Sequence, residues 1–284
     1  MNKIVVTPAG RKRYLEILVK YLVKAKSENQ FDRWELWLNT NVSENIEYCE
    51  YLEKTYDWIK IIRLESYVYE IDFGYKMTNI FRFFKYASDP NSVYIRLDDD
   101  VLYLEPNFCK KMFNFRIENK EPFVVFGNII NNAVITHLHQ RNNILNISDS
   151  KKVWYNCFDH TGTHDHEFCA DLHSKFINDV KNNEIDKWRT SFNIWKLYKD
   201  ERVSVNCVSW LGQSFHDLHD VINQINPIDE ENWLSVDAPK HYNRYNVVFN
   251  DAIVAHFSFV TQREKLEGNT DILQKYKELS DLIE

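Results

Sequence analysis

The stretch Val93-Tyr94-Ile95-Arg96-Leu97-Asp98-Asp99-Asp100-Val101-Leu102-Tyr103-Leu104 sets three consecutive carboxylates between two apolar runs. On a solvated face such a run would need no explanation. Here the flanks fix the acids at the end of a buried strand, where their mutual repulsion requires a cation or hydrogen bonds. Residues two apart on extended backbone point the same way, so Asp98 and Asp100 converge on one site. Hard carboxylate oxygens suit Mg²⁺ or Mn²⁺, ions that keep positions open for substrate phosphates. The triplet therefore reads as a metal–diphosphate site.

The elements that must position it alternate. Ile4 to Val6 is a short apolar strand, broken by Thr7-Pro8-Ala9-Gly10. Tyr14, Leu15, Leu18, Val19, Leu22 and Val23 then recur at helical spacing. Trp34 to Leu38 is a second strand, Ser43 caps a helix carrying Ile46, Tyr48, Cys49 and Leu52, and Ile59 to Leu64 is a third strand. Thr78 or Asn79 opens a helix with Ile80, Phe83 and Phe84 inward, and Val93 to Leu97 is the fourth strand. This alternation predicts an α/β fold with a mostly parallel twisted sheet, Rossmann-like, flanked by helices. Ligands on such sheets bind at the carboxyl ends of the strands, which aligns Thr7–Arg11, Asn39–Asn41 and Asp98–Asp100 on one edge.

Beyond Pro106 the pattern loosens. Phe123 to Phe126, Val203 to Leu211 and Ile253 to Phe259 have strand character, residues 142–200 show no clean strand, and Thr270 to Ile283 is an amphipathic helix. There is no internal repeat or Pro/Gly/Ser linker. A single domain is expected, with a nucleotide half over about 1–106 and an acceptor half over about 107–284.

Composition bounds the function. The formal net charge is −7 and no Lys/Arg block is long, which argues against nucleic acid as a partner; a bound cation can still bring in a diphosphate. The 8 Trp, 16 Tyr and 18 Phe mostly fill a core, with a surplus suited to stacking on sugars or bases. The 5 Cys form neither a CxxC pair nor a complete disulfide frame, which favours free thiols in a reducing cytosol. No apolar stretch reaches the length of a membrane span, so a soluble cytoplasmic protein is expected.

An apolar strand ending in Asp-x-Asp after alternating β and α units resembles the GT-A glycosyltransferases. The opening Thr-Pro-Ala-Gly-Arg and the later His-Phe-Ser-Phe are similar to a group of bacterial and viral enzymes of that class. The resemblance spans nearly the whole chain and implies transfer of a sugar from a nucleotide-diphosphate donor, UDP before GDP, to a glycan or other hydroxyl acceptor. It implies Asp98 at the donor ribose or at the metal through water, Asp100 as direct ligand, and His256 as a late further ligand. Imidazole with carboxylates favours Mn²⁺ over Mg²⁺. Thr7, Pro8, Ala9, Gly10, Arg11 and Asn39 would line the nucleotide, with Asn79, Arg82, Asp99 and Arg263 in reach of the donor.

Inversion at the anomeric carbon needs a carboxylate to take the acceptor proton. Asp229-Glu230-Glu231-Asn232-Trp233 resembles the acidic pair near a Trp in inverting enzymes, with Asp229 preferred to Glu230 as base and Trp233 stacking on a sugar; an acidic helix N-terminus explains the same residues. Asn128, Asn131, Asn132 and His137 could bond acceptor hydroxyls, although an ordinary turn accounts for them as well. His160, His164, His166, Cys169 and His173 raise a structural zinc site, but their spacing fits no standard finger. The rival readings are a metal-dependent phosphohydrolase or nucleotidyltransferase using the same triplet, and a non-catalytic sugar-binding protein of GT-A fold.

Overall fold

The computed structural model describes residues 1–64, 80–146, 151–215 and 229–283. Its first half follows the hydrophobic periodicity. Strand β1 (Asn2–Ala9) is buried from Ile4 onward, and helix α1 (Lys12–Ser27) turns Tyr14, Leu15, Leu18, Val19 and Leu22 against the sheet. Strand β2 (Arg33–Leu38), helix α2 (Ser43–Thr55), strand β3 (Ile59–Ile62) and strand β4 (Ser92–Leu97) complete it. The order β3-β2-β1-β4 is parallel throughout, with Val5 beside Trp34 on one side and Ile95 on the other. Ser43 does not cap α2; it is the first helical residue, after Val42. Thr78 and Asn79 lie outside the described residues, but Ile80, Phe83 and Phe84 are buried as expected.

The second half joins the same sheet, which continues from β4 with Cys207–Leu211, Val125–Ile130, Val247–His256 and Val101–Leu104 in that order. Strand β5 (Val101–Leu104) leads to helix α3 (Phe108–Glu118), strand β6 (Val125–Ile130) and helix α4 (Ala133–Arg141). Helix α5 (His166–Lys181) and the short strand β7 (Ile194–Lys196) fall where no strand was expected. Strands β8 (Cys207–Leu211) and β9 (Val247–His256) are followed by helices α6 (Val260–Asn269) and α7 (Ile272–Ser280). Strand β8 runs antiparallel to both β4 and β6, so this half is mixed. The strand expected from Val203 begins only at Cys207: Asn206 O still accepts from Asp98 N at 3.0 Å, in register with the β4–β8 pairing, but Ser204 O turns to Asn132 Nδ2 at 2.9 Å. None of the described helices is long and apolar enough to cross a membrane. All five cysteines are buried free thiols.

Trp233 anchors the short helical segment 230–241 from below. It is fully buried among Phe81, Phe84, Phe123 and Phe215. Truncation would leave a cavity ringed by aromatics, so Trp233→Ala is expected to lose about 3–5 kcal/mol in urea denaturation. A loss under about 1 kcal/mol would mean that the segment collapses onto the gap.

Candidate active site

Strand β4 delivers the acidic triplet to the carboxyl edge of the sheet, and a turn closed by Val101 N on Asp98 O at 3.1 Å sends the chain into β5. The three carboxylates then part. Asp98 accepts from Arg96 Nη2 at 2.7 Å and Nε at 3.2 Å. Asp99 is buried and turned to β1, accepting from Gly10 N at 3.0 Å and Arg11 Nε at 2.9 Å. A Cβ on Gly10 would stand 3.2 Å from Asn39 O, so that glycine lets the ends of β1 and β2 approach closely. Asp100, also buried, meets Arg263 Nη2 at 2.9 Å and Arg11 Nη1 at 3.1 Å through Oδ2. Burial alone would raise its pKa, but Arg11, His256 and Arg263 outweigh it and hold the group below the usual value. Burial wins at Asp99, whose pKa is raised despite Arg11.

His256 closes the group from the end of β9. Its Nδ1 lies 3.0 Å from Asn131 O. A carbonyl only accepts, so in the neutral ring Nδ1 carries the proton and the Nε2 lone pair faces Asp100, whose Oδ1 is 3.7 Å away. That Oδ1 is buried without a hydrogen-bond partner among the described residues. Asp98, Asp100 and His256 each offer one ligand atom, all within 4.8 Å of one another. Two carboxylates and an imidazole, with an orphaned buried oxygen among them, fit a Mg²⁺- or Mn²⁺-sized ion.

The triad opens onto a cleft of about 380 Å³. Pro8, Gly10, Arg11 and Asn39 form one wall, and Arg202, Asn206, Glu230 and Glu231 the other, with Arg263 beside the triad. Arg96, Arg202 and Asn206 were not singled out from sequence, and Glu231 was named only within the acidic run 229–231. The signal for Arg96 was present: a cation inside an apolar strand, two residues before Asp98, must find an acid.

Several expected site residues are elsewhere. Thr7 is buried and accepts from Trp34 Nε1 at 3.0 Å, and Ala9 is core. Arg82 is half-buried and is not part of the cleft wall, while Asn79 lies outside the described residues. The acceptor assignments are corrected. Asn128 spends its amide on Trp188 O and Asn250 and its oxygen on His139. Asn131 donates to Phe257 O and Gln262, and Asn132 caps α4 through Ile135 N while donating to Ser204 O. His137 Nδ1 is 2.8 Å from Val153 O, and its ring packs on Tyr155. Trp233, buried in the core, has no face for a sugar. The histidine–cysteine run forms no metal cluster among the described residues: His173 lies between Tyr276 OH and Phe257 O.

The base assignment changes too. Asp229 caps Asn232 N at 2.8 Å and takes Arg202 Nη2 at 2.8 Å, while Glu231 takes Arg202 Nε at 2.8 Å. Glu230 is buried, 3.0 Å from Arg96 Nη1. Burial, with repulsion from Asp98, pushes its pKa up to about 7 against the pull of Arg96.

No family model matches the chain, and no curated protein does. Solved structures do. One is CMP:2-keto-3-deoxy-manno-octonic acid synthetase complexed with CTP, 10% identical over 99% of this chain and 100% of that one, with a TM-score of 0.47. Another is HddC from Yersinia pseudotuberculosis, 10% identical over 94% of this chain and 98% of that one, with a TM-score of 0.43. Likenesses this distant set no activity for this chain. The expectation of sugar transfer is corrected on the geometry of this site: Asp229 and Glu230, cast as base for an acceptor hydroxyl, stand against Arg202 and Arg96.

Proposed function

We propose that this chain is a divalent-metal-dependent nucleotidyltransferase, which joins a nucleoside monophosphate from its triphosphate to an anionic second substrate. The observation that carries this reading is the orphaned Asp100 Oδ1, gathered with Asp98 and His256 Nε2 between Arg11 and Arg263. A bound Mg²⁺ or Mn²⁺ would neutralise phosphate charge and polarise the phosphoryl oxygens. Pro8, Gly10 and Asn39 border the nucleoside, and Arg11 and Arg263 meet the phosphates that leave. An anionic oxygen of the second substrate attacks the α-phosphorus, the bond to the β-phosphate oxygen breaks, and pyrophosphate departs. Such a nucleophile needs no general base, which agrees with arginine pairing of Asp229 and Glu231. Triphosphate substrates and free thiols both suit the reducing cytosol.

The test is pyrophosphate release from CTP, UTP, GTP and ATP with hexose 1-phosphates, with Mn²⁺, Mg²⁺ or EDTA. One triphosphate should support metal-dependent release that needs the sugar phosphate. The same triphosphate with Mn²⁺, at about 100 times its Kd, should stabilise the fold by about 2.7 kcal/mol, a thermal shift of several degrees. Absence of metal-dependent triphosphate binding, or release unaffected by EDTA, would overturn the reading.

A further inference from the structure

Two large aromatic side chains of one segment stand in water, Phe158 beside a wall of the cleft. Phe158 is 64% exposed and Trp154 61%. Leaving rings of this size hydrated forgoes about 1.5–3 kcal/mol of burial each. The backbone that carries them is nevertheless pinned. Asp159 accepts from Trp154 N at 3.1 Å and from Gly162 N at 2.9 Å, Asn156 Oδ1 accepts from Phe158 N at 2.9 Å, and Gln140 Oε1 from Val153 N at 2.9 Å. A pinned segment that presents apolar rings is organised in advance for a ligand.

Phe158 connects to the site through Arg202, whereas the Trp154 ring packs under Lys152 Nζ, 4.4 Å from its centroid. The Arg202 guanidinium lies over Phe158, 4.8 Å from the ring centroid, and its other side is fixed by Asp229 and Glu231. The side chains of Arg202, Asp229 and Glu231 keep 17–19% exposure, and Arg202 and Glu231 line the cleft. A few residues on, Asn206 Nδ2 is 3.4 Å from Asp98 Oδ2. A path therefore runs from the metal triad along 206 and 202 to the Phe158 ring. It lies on the β8 side of β4, whereas the loops after β1 and β2 lie on the other.

We infer that Phe158, with the Arg202–Asp229–Glu231 cluster, forms the subsite for the ring of the second substrate, a pyranose carrying a phosphate. This rests on the nucleotidyltransferase reading. The C–H face of a pyranose packs on an aromatic ring, while its hydroxyls both donate to carboxylates and accept from a guanidinium. The cluster supplies both kinds of partner next to the exposed ring. The phosphate then points inward along the path to the triad, where the α-phosphorus is attacked. The nucleobase is placed on the β1–β2 side, away from these rings.

The experiment uses Phe158→Ala and the milder Phe158→Leu, both at an exposed position where folding is not at stake. Calorimetry gives the affinity of the best triphosphate with Mn²⁺, and steady-state kinetics use glucose 1-phosphate and mannose 1-phosphate. Phe158→Ala should raise KM for the sugar phosphate by about tenfold, leaving kcat and nucleotide affinity within about twofold. Phe158→Leu should fall between it and the native chain. An unchanged KM would overturn the inference, as would an equal loss of nucleotide affinity, which makes the ring a base platform. Triphosphate binding without use of any pyranose phosphate would overturn it while sparing the parent reading. Absence of triphosphate binding would remove both.

Discussion

Asp100→Ala is expected to abolish metal-dependent triphosphate binding and to lower pyrophosphate release by at least about 100-fold. Asp100 is the carboxylate that the fold leaves incomplete. Oδ2 is engaged by Arg11 and Arg263, whereas Oδ1 is buried, unpartnered among the described residues, and faces His256 Nε2. Its lowered pKa keeps it ionised at neutral pH, the state in which it ligates a cation. Asp99 provides the contrast. It is equally buried, but its oxygens are taken by Gly10 N and Arg11, and it does not belong to the metal cluster. Asp99→Asn should therefore cost stability by loosening the β1 loop while metal affinity changes little. Calorimetry with Mn²⁺ and the triphosphate separates the two variants. Retained metal-dependent binding in Asp100→Ala would make the triplet a structural knot of ion pairs.

The sequence made the frame of this site readable because its signals are local. Alternating apolar strands and amphipathic helices fix β1 to β4, and acids following an apolar strand must sit at its carboxyl end. His256 was legible only through resemblance. What sets it apart from the other buried histidines is its Nε2, 3.7 Å from Asp100 Oδ1, while its Nδ1 turns to the Asn131 carbonyl 125 residues away. The asparagines misled for a physical reason. Strands β6 and β9 shift register between Phe126 and Asn128, which leaves polar backbone in the core to be satisfied. Asn128 donates to Asn250 O and Trp188 O, so amides that look suited to sugar hydroxyls are consumed internally. The acidic run at 229–231 misled in another way. Its partners Arg96 and Arg202 are remote in sequence, and nothing local to the run reveals that each acid arrives already paired.

Glu230 should make the stability of the metal-free protein fall as pH rises from about 5 to 8, and Glu230→Gln should remove that part of the slope. The carboxyl is 3% exposed. Its Oε2 stands 3.0 Å from Arg96 Nη1, yet the two atoms are not aligned in a hydrogen bond and have no other such partner among the described residues. Burial therefore dominates, Asp98 adds repulsion, and the pKa moves from 4.5 to about 7 although Arg96 opposes the shift. A raised folded-state pKa means that the folded chain holds the proton more tightly than the unfolded chain. The associated stabilisation is full below about 4.5 and is lost as pH climbs through about 7. A displacement of that size corresponds to roughly 3 kcal/mol as an upper bound. Glutamine stays neutral throughout, so the stability of the native chain minus that of Glu230→Gln should shrink by up to this amount between pH 5 and 8. Asp99, raised in the same direction, contributes equally to both proteins and cancels in the difference. Urea denaturation across that range measures it. A flat difference would mean that Arg96 holds Glu230 ionised throughout, and that the arginine's charge, not burial, sets the character of this wall of the cleft.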